Sequence, residues 1–164
     1  MERLKLLAST ALGLGLVPVA PGTFGTLAGV AIAWGLSFTG AGFPLWVGVA
    51  AVLLYVVGRP LARWAERRAG NGDPGWFVLD EVVGYLVCIA WTTPPSPIAL
   101  LAAFVLFRAF DIFKPPPVRR LEAVGGGDGV LLDDVMAGVY GLACMAVLRA
   151  TLLEPSQWTV VGGA

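Results

Sequence analysis

Six apolar segments, separated by short stretches rich in glycine, proline or charge, divide this chain. They cover residues 6–20, 24–38, 43–57, 77–91, 98–113 and 135–148. Several are nearer 15 residues than the ~20 that span a bilayer, but flanking residues can extend most of them. The pattern predicts an all-α, polytopic helical membrane protein with about five spans from residue 24 onward. For the first segment, residues 6–20, the glycine-rich sequence predicts an interfacial or re-entrant helix.

Stretches rich in glycine, proline or charge separate the apolar segments. Residues 37–42 form a short uncharged turn, and residues 58–75 read as a polar loop. Residues 92–97 are proline-rich, and residues 114–129 begin with three prolines and end in glycines. These are helix-breaking compositions. With 164 residues the chain is predicted to form a single domain, residues 1–164.

Composition supports the membrane and excludes several chemistries. The chain is 57% hydrophobic and 13% charged, against about 25% charged residues in soluble domains. The net charge is zero, so nucleic acid is not an expected partner, and no protein partner is predicted. The absence of histidine excludes histidine-based catalysis and the usual zinc ligand set. Cys88 and Cys144 lie in apolar segments and are interpreted as small core residues.

Positive charges give the expected orientation. They precede the first segment and fill the second and fourth loops, whereas the first and third loops carry none. Because positive loops stay in the cytoplasm, the N-terminus and loops two and four are predicted to be cytoplasmic. The charges are Arg3, Lys5, Arg59, Arg63, Arg67, Arg68, Lys114, Arg119 and Arg120.

Five carboxylates fall at the same predicted face, although the charge rule uses only Lys and Arg. They are Asp80, Glu81, Asp111, Asp133 and Asp134. Carboxylates in apolar surroundings are costly and are expected to have partners or a function. Gathered together, they would bind a hard divalent cation such as Mg²⁺. The alternative is N-terminal helix capping by the two acidic pairs, which we consider weaker for two pairs plus Asp111.

Two further groups carry candidate chemistry. Arg108, Asp111 and Lys114 are spaced by three and share a helical face. They form either an ion-pair ladder or a site with Asp111 on a metal and both cations on a phosphate. Gly84 and Gly138 follow the two acidic pairs and would permit close approach of their helices.

The stretch that opens the second segment contains Thr23 and Thr26. Either hydroxyl could cap the helix or hold phosphate. Gly25 and Gly29 in the same stretch give a small-residue packing face. Gly125–Gly127 before the last acidic pair could present N–H groups to phosphate, but a connector is the default interpretation.

When these motifs are taken together, the chain resembles the phosphatidylglycerophosphatase A family. Four motifs in the family's order carry the resemblance, at residues 21–27, 80–84, 107–115 and 126–138. The resemblance implies Mg²⁺-dependent hydrolysis of phosphatidylglycerophosphate to phosphatidylglycerol, in phospholipid biosynthesis. It also implies a multi-pass protein of the bacterial inner (cytoplasmic) membrane, with its active site on the cytoplasmic side.

The roles expected from the resemblance and from the charge pattern fall into three groups. The metal ligands are expected to be Asp80, Glu81, Asp111, Asp133 and Asp134, and these acids together with Lys114 form the catalytic set. The substrate-binding residues are expected to be Thr23, Thr26, Arg108 and Lys114. Attack by water and an aspartyl-phosphate intermediate both remain open.

Two rival interpretations make different predictions. A divalent-cation transporter using the same acids would hold them near mid-membrane in a continuous pore. A scaffold without activity would use the acids only as helix caps.

Overall fold

The computed structural model describes residues 1–70, 74–91, 93–122, 124 and 126–151. This part of the chain is all-helical, as the segment pattern predicts. Seven helices follow in order: α1 Glu2–Ser9, α2 Pro21–Ser37, α3 Phe43–Ala69, α4 Leu79–Ile89, α5 Pro97–Phe113, α6 Val118–Glu122 and α7 Gly126–Thr151. Short 3₁₀ turns at Leu14–Leu16 and Gly40–Gly42 precede α2 and α3.

The centre of the bundle is α4, which packs against α2, α3, α5 and α7. Nine of its eleven residues are buried. At the crossing of α4 with α7, a Cβ at Gly138 would overlap the backbone oxygen of Gly84. A Cβ at Gly84 would in turn lie 2.6 Å from the backbone oxygen of Asp134. The predicted close approach at these two glycines is confirmed.

A second glycine contact joins α2 to α4. A Cβ at Gly25 would lie 2.6 Å from the Cβ of Val78, and one at Gly29 would lie 3.0 Å from the Tyr85 ring. The small-residue face predicted for α2 is therefore used for packing. Tyr85 is fully buried and donates its hydroxyl to the Leu100 carbonyl of α5 at 3.1 Å, which links three helices through one side chain.

The predicted count of about five spans is not supported. Among the described residues, the stretches Gly40–Ala69 and Gly127–Thr151 are long and apolar enough to cross a membrane, by length and composition. The α4 helix has 11 residues, which rise only about 16 Å, against a bilayer core of about 30 Å. At 17 residues each, α2 and α5 also stop short, at about 26 Å.

Two loops also differ from the sequence prediction. The α3 helix continues to Ala69, so most of the predicted polar loop at residues 58–75 is helical. Tertiary contacts explain this: Gly58 packs against Leu131, and Arg59 and Arg63 bind Asp128. In the fourth loop, α7 begins at Gly126, so Asp133 and Asp134 lie two turns inside a helix.

The N-terminal stretch does not form a spanning helix, as predicted. The α1 helix ends at Ser9, and the next turn has positive φ at Ala11, Leu12 and Gly13. Leucines in this stretch are exposed, Leu12 most of all. Such a surface is typical of contact with a membrane interface.

An apolar surface surrounds the bundle. Large hydrophobic side chains are exposed on α2, α3, α5 and α7, among them Trp34, Val52, Leu53, Leu101 and Val105. Contiguous exposed apolar surface of this kind indicates contact with lipid or with a partner. Because it covers several helices of a strongly hydrophobic chain, we interpret it as a lipid-facing surface.

We expect Gly138→Ala to push α4 and α7 apart, because the new methyl group would overlap the Gly84 carbonyl. Overpacking of this kind costs about 1–3 kcal/mol. The matched control is Gly48→Ala on α3, where no atom lies within 4 Å of the new Cβ. Thermal unfolding in detergent should show a lower midpoint for the first variant alone. Equal midpoints would show that the crossing tolerates a wider spacing.

Candidate active site

Three carboxylates from two helices meet beside the α4–α7 crossing. Asp80 and Glu81 lie in the first turn of α4, and Asp134 lies in α7. One oxygen from each residue lies within 4.8 Å of the other two. We refer to these three side chains as the carboxylate cluster. The gathering of acids at one end of the bundle, predicted from the charge pattern, is confirmed for these residues.

The carboxylate cluster is short of hydrogen-bond donors. Asp80 and Asp134 are buried, and Glu81 Oε2 and Asp134 Oδ2 have no hydrogen-bond partner. Burial raises the pKa of Glu81 to about 7, and the negative charge of Asp111 acts in the same direction. A group of buried oxygens with unused lone pairs is the donor set that a hard divalent cation prefers. The cluster therefore fits Mg²⁺.

The start of α2 covers Glu81. A Cβ at Gly22 would overlap Glu81 Oε1 and would lie 3.0 Å from Arg108 Nη1. A Cβ at Gly25 would lie 3.3 Å from Glu81 Oε2. Glycine at residue 22 lets the helix approach the acid and the arginine this closely without displacing either side chain. Sequence reasoning missed this role of Gly22, although the residue stands in a motif that the resemblance singles out.

Two cations border the carboxylate cluster. Arg108 Nη1 donates to Asp111 Oδ2 at 2.5 Å and lies 3.9 Å from Glu81 Oε1. Lys114 Nζ donates to Asp133 Oδ2 at 2.9 Å. The pair within α5 agrees with the predicted ion-pair ladder, but Lys114 bonds across to α7. The structure thus brings together all six residues of the predicted catalytic set, with Arg108.

Asp111 and Asp133 each accept a hydrogen bond from a cation, at 2.5 Å and 2.9 Å, whereas Glu81 lies 3.9 Å from Arg108. The Asp111 carboxyl also lies within hydrogen-bonding reach of Asp134, so it connects the arginine to the cluster. Their assignment as metal ligands stays a prediction. The geometry assigns them a clearer task, which is to position Arg108 and Lys114.

The turn that carries Lys114 is held from α7. Lys114 follows the end of α5 with a left-handed backbone, at φ 43°. Tyr140 donates its hydroxyl to the Pro116 carbonyl at 2.9 Å, and its ring packs on Phe110 with centroids 5.5 Å apart. Tyr140 therefore fixes the place where the Lys114 side chain leaves the backbone. Tyr140 lies 26 residues after Lys114 in the sequence, and no sequence pattern predicted this contact.

The two threonines do not cap α2. The helix begins at Pro21 with Ala20 before it, so Thr23 lies inside the first turn. Thr26 is buried and donates its hydroxyl to the Gly22 carbonyl at 2.8 Å. The capping interpretation is wrong for both residues. Their role in substrate binding stays a prediction.

The glycine run before the last acidic pair is only partly described, and Gly125 lies outside the described residues. Asp128, which follows the run, binds α3. Its carboxylate accepts from Arg59 at 2.8 Å, from Arg63 at 3.2 Å and from the Tyr55 hydroxyl at 3.4 Å. This cluster attaches the start of α7 to α3.

Helix capping does not explain most of the acids. The residue that precedes α4 is Val78, which offers no capping side chain, but Asp80 Oδ1 accepts from the Glu81 backbone N–H in the first turn at 3.0 Å. Asp133 and Asp134 lie two turns inside α7, beyond the reach of its free N–H groups. The capping on which the scaffold interpretation depends is therefore wrong for Asp133 and Asp134.

Comparison with known proteins shows the family of this chain. The family model for phosphatidylglycerophosphatase A matches residues 7–149, most of the chain. The chain belongs to the phosphatidylglycerophosphatase A family. The matched range includes every residue of the carboxylate cluster and both bordering cations.

Three relatives match between 84% and 90% of this chain. Phosphatidylglycerophosphatase A of Haemophilus influenzae is 35% identical over 149 residues, 90% of each chain. Its namesake in Escherichia coli K12 is 32% identical over 145 residues, 84% of this chain and 82% of its own. A Bacteroides thetaiotaomicron protein, provisionally named phosphatidylinositol-3-phosphatase, is 39% identical over 154 residues, 89% of this chain and 94% of its own. No solved structure gives a significant match.

We expect Mg²⁺ or Mn²⁺ to stabilise this family member through the carboxylate cluster. At 100 times its Kd, a bound cation adds about 2.7 kcal/mol, or roughly 5–10 °C at this chain length. Asp134→Asn and Glu81→Gln should each lose this shift, measured by thermal unfolding with and without the cation. The control is Glu66→Gln on α3, away from the cluster, which should keep it. A full shift in both cluster variants would place the cation elsewhere.

Proposed function

We propose that this chain is a lipid phosphatase that hydrolyses the terminal phosphate monoester of phosphatidylglycerophosphate, giving phosphatidylglycerol and phosphate. The observation that carries the proposal is the carboxylate cluster with Arg108 and Lys114 beside it, in a chain of this family. Anionic oxygens and fixed cations at one spot are what a metal-assisted phosphate hydrolysis requires.

Asp80, Glu81 and Asp134 would hold Mg²⁺. Two features support this assignment: the donors are all carboxylate oxygens, and two of the buried oxygens have no hydrogen-bond partner. When bound, Mg²⁺ supplies positive charge to the phosphate oxygens and favours deprotonation of water. Asp111 and Asp133 are further candidate ligands.

Arg108 and Lys114 would bind the phosphate and stabilise the charge that develops as the ester bond breaks. A guanidinium forms paired hydrogen bonds with phosphate oxygens, and an ammonium adds a compact charge. Asp111 and Asp133 orient these two groups before substrate arrives, so little reorganisation is needed in the reaction. The site accommodates attack by water as well as by an aspartate.

The place of the site in the bundle suits a lipid substrate. The site lies at the end of a bundle with an apolar, lipid-facing surface, so diacylglycerol chains can stay in the membrane while the headgroup reaches the acids. The cation-transport alternative fits less well. Arg108 and Lys114 stand beside the acids and would repel a passing cation.

The lipid specificity follows from the family and from two of the relatives' names. A third relative is named for phosphatidylinositol 3-phosphate, a different phosphate monoester on a lipid. Both compounds offer the same terminal group to the site. We propose the glycerophosphate lipid as the substrate because the family model and two relatives carry that name.

The site would face the cytoplasm of a bacterial inner membrane, with both long helices crossing the bilayer. The supporting observation is charge. Arg59, Arg63, Arg67 and Arg68 lie in the C-terminal part of α3, near Asp128 at the start of α7. Lys114 and the two arginines of α6 belong to the same end of the bundle. Positive residues mark the cytoplasmic side.

Orientation can be measured with single cysteines. In a Cys88→Ser, Cys144→Ser background, Arg67→Cys at the site's end should react with a membrane-impermeant maleimide only in inverted vesicles. Phe38→Cys, at the opposite end of α2, should react in right-side-out spheroplasts. The reverse pattern would place the site outside the cytoplasm.

Activity is the direct test of the site. Purified protein in detergent should release phosphate from phosphatidylglycerophosphate with Mg²⁺, should lose the activity in EDTA, and should act less well on phosphatidylinositol 3-phosphate. Arg108→Gln and Lys114→Gln should each lower kcat about 10²–10³-fold, as for other charge-stabilising groups. The control is Arg119→Gln on α6, exposed and outside the site. Near-normal turnover in Lys114→Gln would remove that residue from the mechanism.

A further inference from the structure

An open apolar groove of about 280 Å³ runs along the bundle between three helices. It is lined by Ala51, Val52 and Tyr55 of α3, Val83 and Val87 of α4, and Leu132 and Val135 of α7. Its lining is almost wholly apolar. Ligand pockets for compact molecules hold about 300–1,000 Å³, so the groove suits part of one hydrocarbon chain.

The groove and the carboxylate cluster share α4 as a wall and lie on different faces of α7. On α4, Asp80, Val83 and Val87 are spaced by three and four, so they form one stripe. On α7, Leu132 and Val135 are three residues apart and line the groove, whereas Asp133 and Asp134 between them lie on the other side of the helix. A rise of about 4.5 Å along the helix axis separates the cluster's Asp80 from the groove's Val83.

The end of the groove nearest the site carries polar groups that suit a lipid headgroup. Tyr55 reaches from the groove to Asp128 at 3.4 Å, and Arg59 and Arg63 bind the same carboxylate. Two guanidiniums facing one carboxylate leave one positive charge, and both arginines are about half exposed. The groove therefore leads from apolar surface to a positive end at the start of α7.

We propose that this groove holds the first part of one acyl chain of the lipid substrate, with the linking phosphodiester beside Arg59 and Arg63. The proposal rests on the proposed function, since it names how that substrate is held. The groove binds the chain by apolar contact and sets the distance from the bilayer to the terminal phosphate. Val52 and Tyr55 then determine specificity for a lipid phosphate over a free one.

The test fills the groove from its exposed rim. Val52 is 62% exposed, so Val52→Trp blocks the groove with little demand on the core. The matched control is Val57→Trp, 51% exposed on the same helix and about 140° around it. We expect Val52→Trp to lower kcat/KM for long-chain phosphatidylglycerophosphate in mixed micelles at least tenfold. Both variants should hydrolyse the deacylated substrate, glycerophosphoglycerophosphate, at the wild-type rate.

Two kinetic outcomes would overturn the proposal. Equal kcat/KM for the two tryptophan variants on the long-chain lipid would show that the groove is not used. An equal loss by Val52→Trp on the deacylated substrate would show damage to the site and not to chain binding.

A second measurement does not depend on turnover. Phosphatidylglycerophosphate with a diazirine in one acyl chain should photolabel the peptides that carry Val52, Val83 and Val135. The variant Val52→Trp should reduce this labelling, whereas Val57→Trp should leave it unchanged. Phosphatidylcholine with the same label should mark the whole apolar surface. Identical patterns for the two lipids would overturn the proposal. If labelling is selective while no lipid phosphate is hydrolysed, the proposed function fails and the groove stands.

Discussion

The close crossing of α4 and α7 is the contact on which the site depends. Gly84 and Gly138 remove both side chains at the crossing, so the two backbones meet. Asp80 and Glu81 lie one turn before Gly84, and Asp134 lies one turn before Gly138. Because the helices cross at the glycines, their acidic turns are held against each other. The same feature that packs the core therefore forces three carboxylates within 4.8 Å, an arrangement that repulsion would otherwise disperse.

Charge balance explains why this arrangement is tolerated. Arg108 and Lys114 offset two of the five carboxylates through Asp111 and Asp133. The three clustered acids have buried oxygens, two of them without a hydrogen-bond partner, and burial raises the pKa of Glu81 to about 7. Burial without compensation is costly, and a bound divalent cation would remove that cost.

The sequence predicts the chemistry of this protein better than its dimensions. Five acids at one end were predicted from Lys and Arg positions through a five-span topology that the structure does not support. The crossing at Gly84 and Gly138 was predicted from their spacing after the acidic pairs. The predicted number of membrane spans was wrong because hydropathy does not show that α4 ends after 11 residues. The helix through residues 58–69 was missed because contacts of Gly58, Arg59 and Arg63 with α7 outweigh local breakers. Gly22 and Tyr140 act through partners far away in sequence, which a single chain does not reveal.

A lipid phosphatase has to bring a bilayer-bound substrate to a polar site without drawing water into the membrane. In the proposed function, the short α4 serves this purpose. Because α4 ends after three turns, its acidic N-terminus and its apolar stripe lie within one short helix. On the side that faces α3, the apolar stripe of α4 forms part of the groove. On the side that faces α2, Glu81 forms part of the site. One buried helix therefore serves both surfaces, and the distance between them is fixed by helix geometry and not by a mobile loop. This rigidity is what positioning a phosphate beside preoriented charges requires.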